Sequence, residues 1–110
     1  IYSGEDPIAV ESIRAGARGV ISVTANVAPA AMHAMCAEAL AGRFAAAEAI
    51  DARLQGLHRS LFAESNPIPV KWAVAELGLI PGGLRLPLTP FSPQHHALVR
   101  EAMAAAGIKP

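Results

Sequence analysis

Cysteine occurs only once in the 110 residues, as Cys36. A single thiol excludes an intramolecular disulfide and leaves no thiolate set for a zinc site. Its setting, Met32-His33-Ala34-Met35-Cys36, reads as an apolar helix face, so a packed thiol is the expectation and a reactive one the alternative. An excess of either charge is also missing: nine Lys and Arg balance nine Asp and Glu, scattered along the chain. That argues against a nucleic-acid stripe or a polybasic membrane patch. No apolar run approaches the roughly 18 residues of a membrane span, and the most alanine-rich stretch is interrupted by Pro29, His33 and Glu38. Repeats and low-complexity linkers are absent. Pro81-Gly82-Gly83 is no phosphate cradle, because no strand precedes it and no Lys-Ser/Thr follows. A soluble protein is expected, with cysteine usage that fits the cytosol.

What is present is an apolar fraction of 53%, much of it alanine. Ile1-Tyr2-Ser3-Gly4 reads as the tail of a strand running into a loop, as though the fold were entered midway, with no leader before it. Asp6-Pro7 starts a helix, Asp as cap and Pro at the first helical position, where no N–H is needed. Ile8, Val10 and Ile13 give that helix its apolar face, and Gly16 stops it. Gly19-Val20-Ile21-Ser22-Val23 is a short β-branched run without polar alternation, as in strands buried on both faces. Strand, helix and strand predict a right-handed βαβ unit.

Helices follow. Ala30 to Leu40, with Ala31, Met35, Cys36 and Ala39 in phase, ends at Gly42. Phe44, Ala47, Ile50, Leu54, Leu57 and Leu61 form the clearest apolar stripe. Asn66-Pro67-Ile68-Pro69 breaks that helix and starts one carrying Val70, Ala73, Val74 and Leu77, stopped at Gly78. After an extended stretch to Pro90, Ser92-Pro93 caps a last helix that uses Leu98, Val99, Ala102 and Met103 and ends at Gly107. Two parallel strands with both edges open are not a stable sheet. Neighbours must come from preceding sequence or another chain, as in a barrel cut near its seventh strand.

Three segments carry a resemblance, in the right order. Gly19-Val20-Ile21-Ser22-Val23-Thr24-Ala25-Asn26-Val27-Ala28-Pro29 closely resembles the eighth strand and following loop of the dihydrodipicolinate synthase family. Ser3-Gly4-Glu5-Asp6 resembles the family's loop after strand seven. Glu64-Ser65-Asn66-Pro67-Ile68-Pro69-Val70-Lys71-Trp72-Ala73, followed by Leu84-Arg85-Leu86-Pro87-Leu88-Thr89-Pro90, resembles its C-terminal helical region. The resemblance covers essentially the whole chain. It implies an α/β fold: residues 1–42 as the last two strands and helices of a (β/α)₈ barrel, and 43–110 as a helical extension. It also implies a lyase of the lysine and diaminopimelate pathway, acting in the cytoplasm as a homotetramer without a cofactor. Pyruvate forms a Schiff base with a lysine on strand six, the enamine attacks L-aspartate 4-semialdehyde, and a tyrosine relays protons. The resemblance places that lysine and tyrosine before Ile1, so this chain alone is expected to be inactive.

Within these residues the resemblance leaves the pocket wall. Ile21 matches the position whose backbone carbonyl faces pyruvate and the lysine, at the C-terminal end of a strand, where barrel enzymes place their sites. Gly4 matches a position lining the same cavity, where a missing Cβ lets backbone approach substrate. Ser3 either donates a hydrogen bond there or shapes a turn. Asn26 supports either the pocket or its own loop, the latter favoured because Asn commonly bonds nearby backbone.

The remaining polar groups have structural readings. Lys71 is a helix-surface residue, and Lys109 lies in the tail. His95 and His96 point about 100° apart on a helix and make no chelating face; His33 and His58 fall on separate helices. Glu5-Asp6 is not a paired-carboxylate site, Asp6 serving as a cap. Trp72 is core or interface. The alternative functions are a related pyruvate aldolase such as N-acetylneuraminate lyase, which the Gly19–Pro29 and Asn66–Lys71 segments disfavour, and a non-catalytic docking module.

Overall fold

A computed structural model of the chain describes residues 1–109, so Pro110, the end of the expected extension, lies outside the described residues. Among the described residues five α-helices form: α1 (Ala9–Arg14), α2 (Pro29–Leu40), α3 (Phe44–Ser60), α4 (Ile68–Glu76) and α5 (His96–Ala105). Single 3₁₀ turns at Asp6–Ile8, Thr24–Asn26 and Pro93–His95 precede α1, α2 and α5. The expected stops hold. Gly42, for example, has φ +80°, a conformation open to glycine at low cost. It lets Arg43 N–H reach the Glu38 carbonyl at 2.9 Å and Gly42 N–H that of Ala39 at 3.0 Å, closing α2 with the paired bonds of a glycine C-cap.

The strands are the main departure from expectation. Among the described residues the two β-like runs meet only in one parallel bridge, Ser3 to Val20. Ser3 N–H donates to the Gly19 carbonyl at 2.9 Å and Ile21 N–H to the Ser3 carbonyl at 2.8 Å. Two causes shorten the ladder. Each run has a partner on one side only, and Val23 has already turned helical, with φ −75° and ψ −46°. The helix between them is as expected in place but not in detail, since Ile8 is exposed while Val10 and Ile13 are buried.

α3 is the hub, packing against α1, α2 and α5. Its apolar stripe buries Ala47, Leu54 and Leu57, with Leu61 just past its end, while Phe44 and Ile50 stay half-buried. One core runs through the chain, from Val10 and Ile13 of α1 and Met32 and Met35 of α2, through Leu54 and Leu57, to Ala73, Val99 and Met103. Leu98 is left on the surface. No helix among the described residues is long and apolar enough to cross a membrane.

The entry into α5 differs from expectation. Ser92 does not cap the helix with its hydroxyl. Its N–H donates to Glu64 Oε1 at 3.1 Å and its O–H to Glu64 Oε2, clasping the segment before α5 to the loop after α3. These bonds hold the Glu64 carboxyl below its usual range. Beyond the clasp, Trp72 of α4 stacks on His96 at 4.3 Å and meets Phe91 at 5.4 Å. Arg100 of α5 lies 5.1 Å above the Trp72 ring and pairs with Glu76 at 3.0 Å.

Two outcomes are expected. Leu57 is fully buried, so Leu57→Ala should cost about 3 kcal/mol in urea unfolding. The Glu64–Ser92 clasp favours the ionised carboxylate, so its contribution is complete above the ordinary glutamate pKa and lost as pH falls through the lowered one. Ser92→Ala should flatten that part of the stability–pH curve without changing it near neutrality in shape.

Candidate functional site

The sequence-predicted positions Ser3, Gly4 and Ile21 converge at the single parallel bridge. Ile21 N–H donates to the Ser3 carbonyl at 2.8 Å, which places Ile21 beside the Ser3-Gly4 turn. The Ser3 side chain is occupied locally: it accepts from Glu5 N–H at 3.2 Å and approaches the Glu5 carbonyl at 3.4 Å. Gly4 is exposed, and a Cβ added there meets nothing within 4 Å. Ile21 is 73% exposed. It borders an open hollow of about 360 Å³ shared with Tyr2, Val20, Met32, His33 and Cys36, to which Ser3 and Gly4 do not contribute. Asn26 turns to its own loop, its side-chain amide donating to the Val23 carbonyl at 3.1 Å.

The segment that leaves Ile21 is fixed by a residue assigned another task from the sequence. Asp6 is buried and does not cap the helix that begins beside it. Its Oδ1 instead accepts from the Ser22 hydroxyl at 2.5 Å. Its Oδ2 accepts the N–H groups of Val23 and Thr24 at 3.0 and 3.2 Å. Those two amides begin a 3₁₀ turn and have no partner within it, as at any helix start. The Ser22 hydroxyl in turn accepts from Ala25 N–H at 2.9 Å. Asp6 therefore caps the turn after the second run, across the bridge, and pulls Val23 out of extended geometry.

A second anchor comes from α3. The Thr24 hydroxyl, fully buried, lies 2.7 Å from His58 Nδ1. His58, also buried, places Nε2 3.3 Å from Asp51 Oδ1. A carboxylate only accepts, so Nε2 carries a hydrogen toward Asp51. In the neutral ring Nδ1 then accepts from Thr24. Asp51 Oδ2 takes the Gln55 amide at 2.8 Å, and the same amide reaches the Pro7 carbonyl at 3.2 Å. The bonds form a ring from Asp6 through the 22–24 segment, Thr24, His58, Asp51 and Gln55 back to Pro7. Among the described residues no buried side-chain nitrogen or oxygen lacks a partner.

Asp6, Ser22, Thr24, Asp51 and His58 were not singled out as a group from the sequence. The available signal was His58, which shares the buried face of Leu54, Leu57 and Leu61, with Asp51 two turns before it. A histidine on an apolar stripe needs a polar partner. Other sequence candidates have structural surroundings. Burial and the charge of Asp6 push the Cys36 thiol up, which disfavours the thiolate. His95 stacks on Phe91 at 5.9 Å, and His96 packs on Trp72 with Nε2 3.1 Å from the Phe91 carbonyl. Lys71 is exposed on α4, away from the hollow beside Ile21.

Comparison with known proteins covers this whole arrangement. The Dihydrodipicolinate synthetase family matches residues 1–106. The chain is 64% identical over 108 residues to the 4-hydroxy-tetrahydrodipicolinate synthase of Thioalkalivibrio sulfidiphilus, covering 98% of this chain and 37% of that one. It is 58% identical over 108 residues to the synthase of Pseudomonas aeruginosa, with the same coverage. Among solved structures, the chloride-inhibited dihydrodipicolinate synthase of Acinetobacter baumannii complexed with pyruvate superposes with a TM-score of 0.94 at 51% identity, covering 98% of this chain and 37% of that chain. The Thermotoga maritima enzyme superposes with a TM-score of 0.92 at 40% identity, covering 96% and 36%. The chain thus spans a little over a third of the length of the relatives it matches. A chain whose residues 1–106 match this family, and which superposes on its solved members over nearly its whole length, has one assignment: it belongs to the dihydrodipicolinate synthetase family.

Proposed function

We propose that this chain is the C-terminal portion of a 4-hydroxy-tetrahydrodipicolinate synthase, with residues 1–42 closing a (β/α)₈ barrel and the described residues from 43 onward forming a helical extension beside it. The observation that carries this reading is the superposition of nearly the whole chain on a family member complexed with pyruvate. The single parallel bridge supports it as well. Its free edges are what two barrel strands show when their neighbours lie in other residues. The protein that contains this chain condenses pyruvate with L-aspartate 4-semialdehyde, in the cytoplasm and as a homotetramer.

The chemistry begins when a lysine amine adds to the pyruvate carbonyl and water leaves. The resulting cationic imine acidifies the methyl group. Loss of a methyl proton gives an enamine, whose carbon bonds to the aldehyde carbon of the second substrate while the aldehyde oxygen takes a proton. Attack of that substrate's amino group on the imine closes the ring and returns the lysine. The amine must be unprotonated to add, which burial and neighbouring cations encourage. The lysine lies outside these residues. Here the Ile21 carbonyl faces the imine from the end of the second run, and the absent Cβ of Gly4 leaves room for pyruvate. Ser3 fixes both by its turn and its bond to Ile21 N–H. Asn26 keeps the following loop in shape.

Borohydride reduction of the longest natural chain carrying this sequence, after incubation with pyruvate, should leave an adduct on a lysine outside residues 1–110, located by peptide mass spectrometry. An adduct on Lys71, or none, overturns this mechanism and leaves the family and fold standing. Steady-state kinetics separates backbone from side-chain roles at the wall. Ile21→Val should leave kcat and KM unchanged, because the carbonyl remains. Gly4→Val fills space meant for pyruvate and should raise its KM by roughly 10-fold or more.

A further inference from the structure

We infer that His58, far along α3 in sequence, is a positioning residue for the pocket wall, acting through Thr24 on the segment that carries the Ile21 carbonyl. The inference rests on the pyruvate-lyase reading above and adds to it a route from the helical extension into the site. Its basis is geometric. Thr24 is three residues after Ile21, and its hydroxyl meets His58 Nδ1 at 2.7 Å with both side chains fully buried. The opposite side of the ring is held by Asp51, and Asp51 by Gln55. His58 is therefore fixed from both sides, and no other side chain of α3 bonds to residues 22–26.

The two anchors of this segment differ in kind. Asp6 takes its donors from Ser22, Val23 and Thr24, and so fixes the height of the turn above the first run. His58 holds only the Thr24 side chain, and so ties the turn to α3. A peptide carbonyl at the entry to that turn takes its direction from both. Placement errors near 1 Å at a reacting centre cost on the order of 100-fold in rate. A side chain that sets a wall carbonyl without touching substrate therefore matters to catalysis. Met32 and Met35 of the same core are apolar and adaptable and cannot supply direction.

The test uses the longest natural chain carrying this sequence, with kcat, the KM for pyruvate, borohydride trapping and thermal melting measured together. His58→Ala should lower kcat by roughly 10- to 100-fold with little change in the KM for pyruvate. His58→Asn places an amide where Nδ1 stood and should recover most of that loss. His58→Gln reaches only toward the Nε2 position and should not. Leu57→Ala, one residue away in the same core, should lower the melting temperature and leave kcat as it was, which separates positioning from plain destabilisation. Should His58→Ala fail to fold, Thr24→Val removes the same bond from the other side with little change in volume, and the same fall in kcat is expected. An unchanged kcat in Thr24→Val or His58→Ala, with trapping intact in the unmodified protein, overturns the inference. So does a Gln variant as active as the Asn variant, or a Leu57→Ala variant with the same kcat loss. Failure of the unmodified protein to trap pyruvate strikes the functional reading instead.

Discussion

A carboxylate buried without a cation has to find its donors in the chain around it. Asp6 finds three, all in residues 22–24, and the rest of the structure follows from where they are. Meeting them bends the backbone at Val23, ends the second run after Ile21 and launches the turn that leads into α2. Each of the two amides would otherwise be an orphan at a helix start, and leaving one buried and unpaired costs about 1–3 kcal/mol. The same contact joins the loop after the first run to the loop after the second, over the bridge that pairs them. Without it, those loops would be joined only by the bridge below them and by the longer path from Thr24 through His58, Asp51 and Gln55 to Pro7.

The second constraint is the ring of side chains that returns from Thr24 through His58, Asp51 and Gln55 to Pro7. It lies between α3 and the bridged runs, beside the core that Leu54 and Leu57 share with Met32 and Met35. Apolar burial there supplies the attraction, and it has no direction. Hydrogen bonds supply the direction. The surface ion pairs Arg43–Glu38 and Arg100–Glu76 lie on exposed groups and add little by comparison.

Helices were readable in the sequence because their signals are local. The stripe from Phe44 to Leu61 and the glycine stops at Gly42, Gly78 and Gly107 depend on neighbours within four residues. The Ser3, Gly4 and Ile21 positions were proposed from resemblance alone, and the structure places Ser3 and Ile21 beside each other at the bridge, with Gly4 next to Ser3. Strand pairing was not readable in the same way, since a ladder needs partners that these residues do not include. Asp6 and Ser92 show a further limit. Both stand where a cap belongs by local rules, yet each bonds to a group far away in sequence, Asp6 to the 22–24 turn and Ser92 to Glu64. A short polar side chain at a helix start has only a modest local gain, and a distant buried partner outweighs it. His58 was hidden for the same reason, its meaning residing in Thr24, 34 residues away.

Because a single core passes from α1 and α2 through α3 to α4 and α5, the proposed boundary near Gly42 is one of chain topology and not of cohesion. α3 falls by sequence in the proposed extension, and by contact it packs against α1, α2 and α5. Exchange of the proposed extension between relatives would therefore transplant half of a shared interior, with His58 arriving opposite a Thr24 it had not evolved beside. Recombination within this family should be tolerated where crossovers carry α1 through α3 together, and the junction at Gly42, the most inviting on a diagram of the chain, is the place to avoid.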